Sequence, residues 1–242
     1  MPNTSTAPSA GGPHLERRGD VFVLWLAGDG AVDDAARFHP DWLAGFHAAL
    51  DEIEAADGPA ALVTANVGKY YSNGLDLDYI LPQMDRLDSY LDEVHTVFRR
   101  LVAFQTPTVA AVQGHAFGAG AMLATSHDFR VMRSDRGFYC LPEVTLQMPF
   151  TPSMTALMKR RLPAQVALEL MTTGRRFGGG DALAAGIVDA VAEGDAVLDA
   201  AIDRAKELAP LRGANLAKIK RGIHAELLTE LEQKTVGTRI GN

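Results

Sequence analysis

A chain of 242 residues, 47% of them hydrophobic and with a formal net charge of -7, has the apolar material for a substantial core and lacks the basic excess of a nucleic-acid binder. Its one cysteine, Cys140, excludes an intrachain disulfide framework and a multi-cysteine zinc site, and fits a reducing, cytoplasmic setting. No apolar run reaches the roughly 18–20 residues of a membrane span, and no basic-then-apolar signal segment is present, so no membrane partner is expected.

Residues 1–13 are rich in Ser, Thr, Ala, Gly and Pro, hold almost no core-forming side chain, and are expected to form a disordered leader. Val21-Phe22-Val23-Leu24-Trp25-Leu26 then reads as a buried strand. Between residues 39 and 56, Trp42, Leu43, Phe46, Leu50 and Ile53 recur at helical spacing, with Pro40 near the start and Gly58 beyond the end. Ala61-Leu62-Val63-Thr64-Ala65 follows as a second strand, and strand–helix–strand in this order predicts a right-handed crossover and a parallel sheet. Residues 66–74 form a polar loop and Asp76 is placed to cap a short helix. Leu87, Leu91, Val94, Phe98, Leu101 and Val102 mark one face of a longer helix before Pro107. Next come a strand at Val109-Ala110-Ala111-Val112, the glycines Gly114, Gly118 and Gly120, and a small-faced helix over 119–126. Strands are predicted at 129–132, 137–140 and 187–191, and helices at 153–162, 164–172, 196–208 and 214–233. The fold class is therefore α/β, with a mainly helical C-terminal region.

Two stretches are candidates for chemistry. The turn holding Gly114, Gly118 and Gly120 runs from strand into helix and presents backbone N–H groups at the positive end of a helix dipole. These glycines do not make G-x-G-x-x-G and no P-loop Lys-Ser/Thr follows, which sets aside nicotinamide cofactors and ATP. Such a turn can instead hold oxygen charge that develops only in the transition state. The loop Asn73-Gly74-Leu75 offers a second N–H at another helix start. Two donors converging on one oxygen suit a thioester enolate; two plain tight connections account for the same spacing.

Glu143 follows Pro142 and sits among Leu141, Val144 and Leu146 in sequence. Partial desolvation there would raise its affinity for a proton and suit a base that takes a proton and returns it. A surface Glu at a strand end is the other reading. His115 and His127 have no third ligand at metal spacing, so no metal is expected. Ser72 stands in no G-x-S-x-G elbow, and Asp128 is expected to make structural hydrogen bonds. Lys69, Lys218, Lys220 and Arg221 either meet phosphates or form a solvated basic face.

The pattern resembles the crotonase (enoyl-CoA hydratase/isomerase) superfamily from about Val21 onward. Three blocks carry the resemblance: Tyr71-Ser72-Asn73-Gly74-Leu75-Asp76-Leu77, the run from Pro107 through Gln113-Gly114-His115-Ala116-Phe117-Gly118-Ala119-Gly120, and Leu141-Pro142-Glu143-Val144. A fourth, Thr173-Gly174-Arg175-Arg176-Phe177 with Ala185-Gly186-Ile187-Val188, is similar to the segment that closes the family's core domain. The resemblance implies a spiral of ββα turns over a core domain at 14–195. It also implies a C-terminal helical region at 196–242 for trimerisation and active-site cover, and homotrimers, often paired into hexamers. The substrates it implies are acyl-CoA thioesters, with coenzyme A entering as part of the substrate and no separate cofactor. By position, the N–H groups of Leu75 and Ala119 match the oxyanion hole, and Glu143 matches the catalytic glutamate. Lys69, Ser72, Asn73, Gly74, Phe117, Gly118, Met122, Leu141 and Phe150 match the substrate surroundings. Lys69 lies where a basic residue near the CoA phosphates is common, and the C-terminal lysines are candidates to reach a neighbouring subunit's ligand.

Hydratases of the family carry a second glutamate two residues after the Gly-rich turn, where this chain has Met122. Hydration needs two groups to hold and activate water. Moving a double bond needs one base, which takes a proton from C2 and delivers it to C4. The text around Ser72 and from His127 to Gly137 is similar to Δ3,Δ2-enoyl-CoA isomerases of the plant peroxisomal type. The expected activity is isomerisation of 3-enoyl-CoA to trans-2-enoyl-CoA in fatty-acid β-oxidation. Decarboxylation, thioester hydrolysis, hydration or non-catalytic acyl-CoA binding are the alternatives. Leu75, Phe117, Met122, Leu141 and Phe150 are expected to wall an apolar acyl pocket that keeps water from the enolate.

Overall fold

A computed structural model describes residues 12–28, 34–194 and 196–239. The expected leader lies outside the described residues except for its last two, and of these Pro13 already packs on the fold: its ring lies 3.3 Å from where a Cβ on Gly45 would stand. The chain opens with β1 (His14–Arg18) and β2 (Val21–Trp25), followed by α1 (Pro40–Ala55) and β3 (Ala61–Ala65). Pro40 occupies the first helical position, where its missing N–H costs nothing. Trp42 anchors α1 by donating from its indole to Leu26 O at 2.7 Å.

From β3 onward one unit recurs three times. Strand β3 leads to the short β4 (Tyr70–Ser72) and then to α2 (Leu77–Ile80) and α3 (Leu87–Val102). Strand β5 (Thr108–Val112) leads to β6 (His115–Phe117) and α4 (Ala119–Thr125). Strand β7 (Phe129–Arg133) leads to β8 (Tyr139–Cys140), a 3-10 turn at Pro142–Val144, and α5 (Pro152–Arg161). The first strand of each unit joins a six-stranded sheet of order β1-β2-β3-β5-β7-β9, in which only β1 runs antiparallel. The second joins a three-stranded parallel sheet, β4-β6-β8. The expected ββα spiral is this arrangement.

Helices α6 (Ala164–Thr173) and α7 (Gly179–Ala184) follow, then strand β9 (Ala190–Ala192) and helices α8 (Ala196–Leu208), α9 (Ala214–Ile223) and α10 (Ala225–Leu231). Strands β3 and β5 are buried at every residue, as expected of parallel strands covered on both faces. One face meets α1, α3 and α4 in the main apolar cluster; the other meets Val197, Ala201, Ile202 and Ala205 of α8. Helix α8 is thus part of the sheet's own packing, and the expected C-terminal region at 196–242 divides there. Helix α10 packs on α3 and α5 of its own chain. Among the described residues no helix is long and apolar enough to cross a membrane.

Several boundaries differ from the sequence reading. Strand β6 was hidden between Gly114 and Gly118, because three residues are too few to establish a period. The strand expected at 187–191 begins only at Ala190, and the helix expected over 214–233 breaks at His224, where φ is -107° and ψ 19°. Helix α7 starts in the Gly178-Gly179-Gly180 run, which reads locally as a breaker.

Lys220 also departs from expectation. It is 5% exposed, its Nζ lies 2.5 Å from Asp128 Oδ2, and it donates to Thr106 O at 3.3 Å. A phosphate cannot reach it. Asp128 accepts from Thr108 N at 2.9 Å with the same oxygen, so the pair ties α9 to the start of β5. Lys220→Met strands a largely buried carboxylate and is expected to lower unfolding stability by about 3–5 kcal/mol, read by urea denaturation.

Candidate active site

The first half of the site is the loop after β4. Ser72 is fully buried and its hydroxyl is committed: it donates to Ala36 O at 2.8 Å and accepts from Gly74 N at 3.0 Å. Through these two bonds the hydroxyl shapes the loop. Asn73 N donates to Ala35 O and Gly74 O accepts from Phe38 N, both at 2.8 Å. Gly74 has φ +75°, a conformation glycine adopts without strain. Asp76 caps α2 as expected, accepting from Tyr79 N at 3.2 Å. Among the described residues the N–H of Leu75 has no acceptor.

The second half is the start of α4, whose seven residues are all buried. Gly118 precedes it with φ +54°, and the N–H groups of Ala119 and Gly120 open its first turn. A Cβ on Gly74 would stand 2.6 Å from both of these nitrogens, and a Cβ on Gly120 would stand 2.2 Å from Ser72 O. The two turns therefore touch backbone to backbone. At the other end of α4, Arg161 Nη2 donates to His127 O at 2.5 Å, and Arg130 Nη1 donates to Thr125 O at 3.3 Å. Cations there suit the negative end of the helix; neither arginine was singled out in sequence.

The third element is Glu143 in the 3-10 turn after β8. It is 9% exposed, and its Oε1 lies 3.2 Å from where a Cβ on Gly118 would stand. Its Oε2 is buried with no hydrogen-bond partner. Burial pushes its carboxyl up to about 7, opposed only by its own backbone N–H. The sequence neighbours expected to bury it do not: Val144 is 44% and Leu146 53% exposed, and only Leu141 is buried. The carboxylate is covered by its packing against the α4 turn.

Leu75, Ala119 and Glu143 each follow a strand of the small sheet by two or three residues, one per ββα unit. The other expected residues fall into two groups. Met122 and Leu141 are fully buried in the main apolar cluster, with Leu75 and Phe150 packed against it. Phe117 stands apart, 4.9 Å from the His115 ring and beneath the Arg176 guanidinium at 5.7 Å, so it belongs to an aromatic face of the small sheet. Lys69 is exposed, with its ammonium 5.2 Å from the Tyr70 ring centre. His127 is fully buried, and burial pulls it down to about 3. Among the described residues no group of three or more His, Cys, Asp or Glu could hold a metal ion.

A buried carboxylate against a helix-opening turn, itself touching a second glycine loop on a ββα spiral, agrees with the fold that the resemblance to the crotonase superfamily implies. The profile of the enoyl-CoA hydratase/isomerase family matches residues 36–239, and the chain belongs to that family. It is 33% identical over 223 residues to enoyl-CoA delta isomerase 3 of Arabidopsis thaliana, covering 88% of this chain and 92% of that one. With the Arabidopsis peroxisomal enoyl-CoA delta isomerase 2 it shares 34% identity over 226 residues, at 88% and 92% coverage. A Mycobacterium tuberculosis protein has been solved both as a probable enoyl-CoA hydratase and as an enoyl-CoA isomerase. The two structures match with TM-scores of 0.82 and 0.81 at 27% and 28% identity, covering 90% of this chain and 91% and 93% of those.

Proposed function

We propose that the protein is a Δ3,Δ2-enoyl-CoA isomerase. Glu143 takes the proton from C2 of a 3-enoyl-CoA, the thioester oxygen gathers the charge between the N–H groups of Leu75 and Ala119, and Glu143 returns the proton to C4. The double bond then lies between C2 and C3. The observation that carries this reading is Glu143 itself: a carboxylate packed on the Gly118 turn, with one oxygen unpartnered, held near neutral pH between its acid and base forms. Met122 supports it, since a fully buried thioether stands where a hydratase would need its second acid. The delta isomerases of Arabidopsis at 33% and 34% identity support it as well.

Coenzyme A would be bound as part of the substrate. Assembly as a homotrimer or paired hexamer belongs to the same proposal and rests on family likeness. A cytoplasmic setting is proposed on the single unpaired cysteine. The test supplies a 3-enoyl-CoA and follows the conjugated 2-enoyl product, then supplies a 2-enoyl-CoA and looks for the 3-hydroxyacyl product. Isomerisation without appreciable hydration is expected. Faster hydration would overturn the one-acid scheme, and binding without turnover across a panel of acyl-CoA esters would leave a binding protein instead.

A further inference from the structure

Three polar side chains that the proposed chemistry does not use, Tyr71, Thr64 and His127, are fully buried. They form one continuous chain. Tyr71 Oη lies 2.8 Å from Thr64 Oγ1, Thr64 Oγ1 lies 2.9 Å from His127 Nε2, and His127 Nδ1 lies 2.8 Å from Leu123 O. The direction of every bond follows from the last. A carbonyl only accepts, so Nδ1 carries the proton and Nε2 is the acceptor in a neutral ring. Thr64 must then donate to His127, which leaves its oxygen to accept from Tyr71. Burial, which disfavours the imidazolium, agrees with that neutral tautomer.

The two ends of the chain sit on the two halves of the site. Tyr71 belongs to β4 and immediately precedes Ser72, whose hydroxyl fixes Gly74 next to Leu75. Leu123 belongs to α4, which begins with Ala119, and His127 closes the turn after that helix, its N–H donating to Ala124 O. Thr64 lies between them on β3 of the large sheet. Glycine contacts hold the loop and the helix against each other, and this chain references both to a third, rigid body. Valine would fill the Thr64 site with nearly the same volume, so packing does not call for the hydroxyl.

We propose that Tyr71, Thr64 and His127 are positioning residues that set the separation of the Leu75 and Ala119 N–H groups, and with it the grip on a thioester enolate. The inference rests on the oxyanion role proposed for those two groups. The probe is acetoacetyl-CoA, whose enolate has its own near-ultraviolet absorbance, titrated with pH while bound to wild type, Thr64→Val, Thr64→Ser and Tyr71→Phe. Wild type should hold the probe as enolate at lower pH than free solution does. Losing a whole oxyanion donor costs about 10²–10³ in rate, and misplacing one should cost less, so Thr64→Val and Tyr71→Phe should show about tenfold less enolate and lower kcat, with KM nearly unchanged. Thr64→Ser should recover most of both.

Folded Thr64→Val or Tyr71→Phe protein with the wild-type enolate fraction overturns the proposal. Should Thr64→Val fail to fold, Tyr71→Phe decides, since it removes one hydroxyl from the end of the chain. Loss of melting temperature with enolate and kcat intact also overturns it, because that is the signature of a merely structural chain. No enolate on wild type overturns the oxyanion reading itself, and the inference with it.

Discussion

Glu143→Gln is expected to lower kcat on a 3-enoyl-CoA by about 10³–10⁴-fold with little change in KM, at the upper end of what one acid–base group contributes, because both proton transfers pass through it. Gln keeps the shape and removes the titration. The wild-type profile should rise as pH increases through about 7, where the carboxyl becomes the base, and level above it. The same substitution is expected to stabilise the fold. In the unfolded chain this carboxyl ionises near 4.5 and is hydrated; in the fold it ionises only near 7, and one oxygen has no donor. Between those values the folded state binds the extra proton, so stability falls as pH rises and stays low above 7. The difference amounts to about 3 kcal/mol. Urea denaturation should therefore find Glu143→Gln more stable than wild type at pH 8 by roughly that amount and nearly equal at pH 4. A Gln variant with full turnover, or no gain at pH 8, would contradict the role of the carboxylate and its strain.

The second large effect is at Gly74. Alanine there would place a methyl 2.6 Å from the nitrogens of Ala119 and Gly120, a distance no Cβ tolerates, in a residue held at φ +75°. The loop or α4 must move, and the donor pair opens. A loss of about 10²–10³ in kcat is expected, the scale of a missing oxyanion donor. Backbone strain alone would add about 1–2 kcal/mol of destabilisation. Gly58→Ala is the control: its φ is +80° with nothing within 4 Å of the added methyl. It should lose comparable stability and keep full activity, so steady-state kinetics beside thermal melts separate strain from obstruction.

The elements that declared themselves in sequence are those with a side-chain period. Helix α1 was legible from Trp42, Leu43, Phe46, Leu50 and Ile53, and β3 from its short, largely apolar run. Of the small sheet only β8 was, within the strand expected at 137–140; β4 and β6, three residues each, carry too little period and exist through their partners. The site divides the same way. Glu143 and both glycine turns stand out locally, and family likeness assigns them roles. Their contact depends on Gly74 and Gly120 lying against segments distant in sequence, and no local signal announces that. Burial was misattributed for the same reason: Val144 and Leu146 look like cover for Glu143 but face outward, while Lys220 looks like surface and is enclosed. Phe117 alternates with Ala116 on β6, and only the pairing of that strand decides which face it takes.

Each ββα unit delivers one chemical group just past its short strand: Leu75 from the first, Ala119 from the second, Glu143 from the third. In the proposed reaction, grip on the oxygen and movement of the proton would thereby fall to separate turns of one spiral. On those roles, a change in the loop after β8 would alter which proton is moved, or whether one is moved at all, while the turns after β4 and β6 would keep their hold on the thioester. Such a scaffold would trade one proposed reaction for another a single loop at a time.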